Sequence, residues 1–475
     1  MTLKEKLTAE PGFQYVIDSM ELMSAPGRRR MLHQPLLTDP AQLQKEYDHL
    51  DRIVAILTND DCNRHVVDLR HQLMQTHDIQ GSLLNLAHHM TLEETELFEI
   101  KQFAFICMES LKTATALGIN DMLQLPPLDE VFRLLDPDNT GIANFYIYDS
   151  YHPDLAELRR QLKAKQTLLD NSRGDAEQNA PLQREINDLF DRQNHIQQEV
   201  IARLSTQLVT LQPTLQQALD AMAYTDFLMA RATLAVDWHL CRPQLSDDAT
   251  TFVQLWNPRL RHRNQSLKQR YQPVDIALRP GVCLITGANM AGKTVLLKTV
   301  GIAQLLTQFA CFVPATSATV RLVDDICFCI GDEQNEMNGL SSFASEIIKI
   351  SDTVTRAERQ RLLILIDEPA RTTNPIEGKA IVQSVATLLD RQPSLTLITT
   401  HYSQLGLACR RLRVKGFVEG MSDQPLTPQN INSFMDYSLL PDESDDVPQE
   451  ALRIATILHC NTELIQNASL FLKKI

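Results

Sequence analysis

At 475 residues the chain is too long for one compact domain, and two to four are expected at roughly 100–200 residues each. Apolar residues make up 44% and charged residues 22%, which supports packed cores and excludes wholesale disorder. The formal net charge of −14 excludes polyanion binding through bulk charge and leaves room only for a local basic patch.

The opening, Met1-Thr-Leu-Lys-Glu-Lys-Leu7, is charged and has no apolar signal core. Asp39-Pro40 reads as a helix N-cap followed by proline at the first helical position. Behind it Leu43, Tyr47, Leu50, Val54 and Leu57 share one helical face. Thr91 with Glu94 forms a capping-box pattern before another amphipathic stretch. Leu155, Leu158, Leu162 and Leu169 mark a further helix, and the polar run Asp170–Pro181 reads as a turn or exposed loop. The pattern then holds from Ile186 to Met222, with Pro213 expected to kink or restart the helix. Residues 1–240 therefore read as a helical bundle. Next, Pro258–Arg270 is polar and basic, and residues 241–274 are expected as a connector.

The texture changes after residue 275. Val282–Ile285, Leu362–Ile366 and Leu395–Ile398 look like buried strands alternating with helices, the pattern of a parallel α/β sheet. The expected fold class is α + α/β, with the sheet domain over 275–435 and a helical segment over 436–475. The most apolar stretch, 295–313, is broken by Lys298, Gln304 and Gln308, short of the ~18 residues of a membrane span. Nine scattered cysteines, of which only Cys327 and Cys329 are close, suggest neither a disulfide framework nor a four-ligand zinc site. A soluble, cytoplasmic protein that meets no membrane is expected.

Four segments carry chemistry. Gly287-Ala288-Asn289-Met290-Ala291-Gly292-Lys293-Thr294 fits G-x-x-x-x-G-K-[ST] between a strand and a helix, the context this phosphate-binding loop requires. Glycines let backbone N–H groups close on phosphates, Lys293 reaches the outer phosphates and Thr294 can hold Mg²⁺. About seventy residues on, a buried strand ends in Asp367-Glu368, which suits one carboxylate to Mg²⁺ and the other to polarising water. His401, after the strand 395–398, can sense a γ-phosphate or be a structural histidine. Gly339-Leu-Ser341-Ser342-Phe-Ala-Ser-Glu346, opening a helix, suits phosphate contact or simple capping.

These elements in this order resemble the MutS superfamily of ABC-type ATPases. Ile285–Thr294 is similar to the family's I-T-G-P-N-M-G-G-K-S/T, Phe312–Ala315 to its F-V-P-A and Thr399–Tyr402 to its A-T-H-Y. Leu32–Leu36, preceded by Arg28–Arg30, resembles the opening of the family's helical core, and Ala451–Leu472 its closing helices. The resemblance implies a helical core and lever region followed by a P-loop ATPase domain that uses ATP and Mg²⁺. It implies ATP binding by 287–294, Mg²⁺ at Thr294 and Asp367, and catalysis by Glu368 with His401 in support. Gly339, Ser341 and Ser342 would face the nucleotide of a partner subunit in a homodimer, with 436–475 assisting dimerisation, and Tyr271 lies where an adenine-stacking aromatic often sits.

Segments 293–301, 330–334 and 367–375 look closer to bacterial relatives without a mismatch-recognition domain, which usually end in a Smr nuclease domain; none is expected before Ile475. Neither a mismatch-reading domain nor a DNA clamp is expected within these residues. Ala288, Ala291 and Pro369 also depart from the family pattern.

Three functions follow. The first is a DNA-associated ATPase, drawing on Arg28–Arg30 and on Arg259, Arg261, Arg263, Lys268 and Arg270, although either cluster could be a solvated or internally paired face. The second is an ATPase that remodels a protein or ribonucleoprotein client. The third, a transporter's ATP subunit, is disfavoured by the helical half and by the lack of L-S-G-G-Q.

Overall fold

The computed structural model describes residues 1–8, 10–171, 176–287, 291–330, 342–371, 373–418, 434–442, 452, 455–456 and 460–472. Among them the helices are α1 (Leu3–Leu7), α2 (Pro11–Asp18), α3 (Ala25–His33), α4 (Pro40–Leu57), α5 (Asn63–Met74), α6 (Gln80–Ala87), α7 (Glu94–Ala116), α8 (Asn120–Leu123), α9 (Asp129–Leu135), α10 (Leu155–Asn171), α11 (Ala176–Asp237), α12 (Pro258–Ser266), α13 (Lys293–Gln308), α14 (Ser342–Ala357), α15 (Pro375–Leu389) and α16 (Thr462–Leu472). The strands are β1 (Gln244–Ser246), β2 (Thr250–Leu255), β3 (Val274–Leu278), β4 (Gly281–Thr286), β5 (Ser317–Arg321), β6 (Asp325–Cys329), β7 (Leu362–Asp367), β8 (Leu395–Thr399), β9 (Arg410–Phe417) and β10 (Met435–Pro441). Two compact units result. One holds residues 21–32 and 51–232, the other 1–20, 33–50 and 233–475.

The first unit is helical. Its apolar periodicity is used as packing: Leu69, Leu73, Leu97, Ile100, Leu204, Leu208, Leu215 and Leu219 are all buried. Among the buried cations of this unit is Lys101. Lys101 Nζ donates to Asp136 Oδ1 (3.0 Å), Asn144 O (2.8 Å) and Tyr148 Oη (2.8 Å), so all three ammonium protons are placed. Burial opposes ionisation of Asp136, but hydrogen bonds from Thr140, the Gly141 N–H and Lys101 outweigh it and hold that carboxyl down to about 2.

Several local expectations are corrected here: the polar run 170–181, expected as a turn or exposed loop, is helical to Asn171 and again from Ala176, and the segment 436–475, expected as helical, begins within strand β10. Helix α7 is capped by Glu93, not Thr91: the Glu93 N–H donates to Glu96 Oε2 at 2.8 Å. The start is displaced because Leu92 is buried and its N–H donates to Ser205 Oγ (3.0 Å), which fixes that residue outside the helix. Helix α11 also runs unbroken through Pro213 rather than restarting. Buried Leu208, Leu215 and Leu219 hold the turns on both sides of the missing N–H. At α4 the expected cap is present, the Ala41 N–H donating to Asp39 Oδ1 at 3.1 Å.

The second unit carries two sheets. The six-stranded sheet has the order β10-β9-β4-β8-β7-β6, parallel throughout except for the antiparallel β10–β9 pair. The three anticipated strands are its centre, and β4, β7 and β8 are almost wholly buried, as their continuous apolar runs require. A smaller sheet has the order β1-β5-β2-β3. Residues 241–274, expected as a connector, thus supply two of its strands and α12, whose helix is capped by Asn257 accepting the Leu260 N–H (3.1 Å).

The polar breaks in the 295–313 run are structural. Gln308 is fully buried and its amide donates to Leu37 O (3.0 Å) and Val323 O (2.7 Å). Tyr47 Oη donates to Thr307 O (2.7 Å), so early residues are tied to α13 by hydrogen bonds as well as by packing. No described helix is long and apolar enough to cross a membrane.

Candidate active site

In a parallel sheet the carboxyl ends of the strands form the natural ligand edge. Register brings three of the sequence motifs to that edge. Ile285 of β4 pairs with Thr399 of β8, and Thr399 pairs with Asp367 of β7. The segment expected to bind phosphate leaves β4 at Thr286, so its described ends, the acidic pair and the histidine segment are neighbours despite their separation along the chain.

The loop enters α13 through Gly292, whose φ of +77° is left-handed and costs L residues strain that glycine avoids. A side chain there would also press on Tyr437, at 3.1 Å from the added carbon. Gly287 has φ +150°. Lys293, the first residue of α13, is 5% exposed. Its ammonium donates to Gly287 O (2.8 Å) and pairs with Glu368 Oε1 (3.2 Å). Thr294 Oγ1 donates to Asp367 Oδ2 (2.6 Å), and Thr399 Oγ1 donates to the other oxygen, Asp367 Oδ1 (2.5 Å). A hydroxyl beside a carboxylate is a hard oxygen donor set, suited to Mg²⁺.

Asp367 and Glu368 are consecutive, and strand alternation would send their side chains to opposite faces of the sheet. The backbone prevents this. Glu368 has φ +45°, a left-handed value that re-aims its carboxylate to Lys293. Its N–H donates to Thr399 Oγ1 (2.9 Å), which fixes the turn. Ala370 follows with φ +61°. Its N–H donates to Glu346 Oε1 of α14 (3.0 Å), and its carbonyl accepts from Tyr402 Oη (3.1 Å).

His401 lies next to this group, its ring tilted 34° to that of Tyr402 with centroids 4.3 Å apart. Burial lowers its pKa below the ordinary 6.5; the Glu368 carboxylate pulls the other way, and Lys293 and Arg371 reinforce the lowering. Burial therefore favours the neutral imidazole.

The anticipated residues Gly287, Ala291, Gly292, Lys293, Thr294, Asp367, Glu368 and His401 fall in this one region. Ala288, Asn289, Met290, Gly339 and Ser341 lie outside the described residues, while Ser342 is the first residue of α14. Tyr271 is held by its hydroxyl, which accepts the Asn257 N–H at 2.7 Å. Three neighbours carried no role in the sequence reading: Tyr437 against Gly292, and Glu346 and Tyr402 on Ala370. Glu346 and Tyr402 stood inside motif segments, but only the folded chain shows what they bind.

The two basic clusters look different in the folded chain. Arg29 is ion-paired with Asp78, and the Arg30 guanidinium lies 4.9 Å from the Tyr224 ring centroid. Arg261 covers Trp256 at 4.3 Å. Arg259, Arg263, Lys268 and Arg270 are exposed.

Comparison with known proteins gives the same assignment from outside. The family description MutS domain V matches residues 283–474. The chain is 33% identical over 210 residues to the "Endonuclease MutS2" of Ruminiclostridium cellulolyticum, covering 43% of this chain and 26% of that protein. It is 35% identical over 217 residues to the "Endonuclease MutS2" of Thermomicrobium roseum, covering 44% and 27%. To the "DNA mismatch repair protein MutS" of Salinibacter ruber it is 30% identical over 254 residues, 52% of this chain and 28% of that one. The matched region thus spans only about a quarter of each relative's length. Family match, relatives and site geometry agree: residues 283–474 match MutS domain V, and the chain is similar to proteins of the MutS superfamily.

Proposed function

We propose that this chain binds ATP with Mg²⁺, hydrolyses it, and couples hydrolysis to a conformational change. The observation that carries this reading is the convergence of Lys293, Thr294, Asp367 and Glu368 at one sheet edge, with Lys293 3.2 Å from Glu368 and Thr294 2.6 Å from Asp367. Lys293 would exchange its Gly287 and Glu368 contacts for the outer phosphates. Thr294 and Asp367 would hold Mg²⁺, which neutralises charge developing on the phosphates. Glu368 would orient and deprotonate the attacking water, and neutral His401 would support the γ-phosphate. Tyr271 is proposed as an adenine neighbour, its ring fixed by the bond to Asn257.

By kinship the client is DNA, in repair or recombination, without autonomous mismatch recognition. The protein works in the cytoplasm as a homodimer, with Gly339, Ser341 and Ser342 serving the partner's nucleotide and residues 436–475 assisting the contact. Residues 1–240 form the core and lever region that moves with the ATPase domain. A second reading, remodelling of a protein or ribonucleoprotein client, is favoured by the internal engagement of Arg29 and Arg30.

The test has two parts. Phosphate release from ATP by the purified chain should vanish in Lys293→Ala, and activity equal to wild type would reject the nucleotide site. A gel shift with duplex, branched and single-stranded DNA across a salt series separates the clients, since phosphate contacts weaken steeply with salt. No shift at low salt selects the protein or ribonucleoprotein client.

A further inference from the structure

The geometry points to Glu346 and Tyr402 as positioning residues for hydrolysis, acting together on the backbone of Ala370 to hold Glu368 over the nucleotide site. The inference rests on the ATPase reading above and concerns residues to which that reading gives no role.

Both Glu368 and Ala370 are left-handed, with φ of +45° and +61°. Neither is glycine, so each conformation is strained and persists only where its surroundings enforce it. For Glu368 the enforcement is local, through Thr399. For Ala370 it comes from two other elements at once: Glu346 takes the N–H, and Tyr402 donates to the carbonyl. Both polar groups of one peptide residue are thereby spoken for by side chains. The turn between Asp367 and Ala370 is pinned at both ends, and Pro369 stiffens its middle.

Other features of the site agree. Gly378 of α15 lies beside Tyr402, and a side-chain carbon there would come within 2.1 Å of the hydroxyl and 3.0 Å of Ala370 O. Only glycine leaves the phenol room to reach the carbonyl. Glu346 is half-buried and burial raises its pKa, the Ala370 N–H opposing. A carboxylate is kept in a costly place with that N–H as its partner. It also stands one turn into α14, the helix that Ser342 opens, so the clamp joins this helix to the water-activating carboxylate.

The mechanism predicts how variants behave. Glu346→Ala removes the acceptor and frees Ala370 to relax towards φ < 0, which swings Glu368 away from Lys293. Glu346→Gln keeps an acceptor oxygen. Ala370→Gly makes the left-handed turn unstrained without the clamp. The experiment measures kcat and KM for ATP hydrolysis, and equilibrium binding of a fluorescent ATP analogue, in the full chain. Glu346→Ala should lower kcat about tenfold with analogue affinity unchanged. Glu346→Gln should stay within about twofold of wild type, and Tyr402→Phe should lose about threefold. Ala370→Gly added to Glu346→Ala should recover most of the lost kcat.

Wild-type kcat in Glu346→Ala would overturn the inference while leaving the ATPase reading intact. So would a loss in Glu346→Gln equal to that in Glu346→Ala, or failure of Ala370→Gly to restore turnover in a variant that still binds the analogue. Absence of hydrolysis by the wild-type chain would instead remove the ATPase reading, and this inference with it.

Discussion

Glu368→Gln separates binding from chemistry at this site. The substitution keeps side-chain length and shape, so the left-handed turn and the Thr399 hydrogen bond to its N–H should persist. What disappears is a negative charge 3.2 Å from the Lys293 ammonium. At an effective dielectric of ~20, two unit charges at that distance attract by about 5 kcal/mol before solvation. Desolvation of the pair takes back most of this, leaving on the order of 1 kcal/mol. Lys293 keeps its bond to Gly287 O, and the triphosphate no longer approaches a carboxylate. ATP affinity should therefore stay within about fivefold of wild type, with any change towards tighter binding. Turnover should fall by about 10²–10⁴, the usual worth of a positioned general base. Equilibrium binding of labelled ATP and single-turnover phosphate release measure the two quantities separately. Equal turnover in variant and wild type would refute the assignment. A loss of affinity as large as the loss of turnover would place Glu368 in the phosphate cradle instead.

Ser341→Arg and Lys293→Ala should each be inactive alone and partly active when mixed, because one composite site in the heterodimer would be intact; light scattering showing a monomer with and without ATP would rule this out. Since His401 titrates below 6.5, turnover should hold from pH 8 down past neutrality and fall only as the ring protonates, and His401→Gln should lose that acid limb. A half-maximal point above pH 7 would contradict the neutral-imidazole role. Homoduplex and G·T heteroduplex DNA should bind equally at equal salt, since α10 ends at Asn171 and α11 begins at Ala176. A tenfold preference for the heteroduplex by this chain alone would show that a mismatch reader is present.

Much of the parallel-sheet half was legible because its signals are local. A buried parallel strand announces itself as a short apolar run, and the 282–285, 362–366 and 395–398 runs are the sheet's centre. The glycines and the Lys293-Thr294 pair are adjacent in sequence, so the spacing alone located the loop. The acidic pair needed only the end of its strand. What stayed hidden depends on residues far apart. Thr399 bonds Asp367 across two strands, and Glu346 reaches Ala370 from another helix. Nothing in the periodicity of α14 distinguishes Glu346 from an ordinary solvated glutamate. Helix boundaries failed for the same reason. Thr91 has the right chemistry for a cap, but burial of Leu92 decided where α7 begins. The arginine clusters were ambiguous because pairing with Asp78 or stacking on Tyr224 is invisible until the partners are folded together.

The two adjacent carboxylates show how one turn of backbone divides labour. Asp367 belongs to the strand, and both its oxygens accept hydroxyl hydrogen bonds, from Thr294 and Thr399, which fix its orientation. A fixed carboxylate beside a hydroxyl suits a hard cation that demands regular geometry. Glu368 lies just past the strand and contacts cations, Lys293 at 3.2 Å and Arg371 at 3.7 Å. Its carboxylate is held by charge more than by directed hydrogen bonds, so it can turn towards a water when phosphate draws Lys293 away. Had the chain continued as β-strand, the second carboxylate would point to the other face of the sheet and the pair could not act on one phosphate. On the proposed ATPase reading the left-handed φ at Glu368 is therefore a condition of the chemistry, and whatever stabilises that turn, from Thr399 on one side and Glu346 on the other, should act on the rate of hydrolysis before it acts on binding.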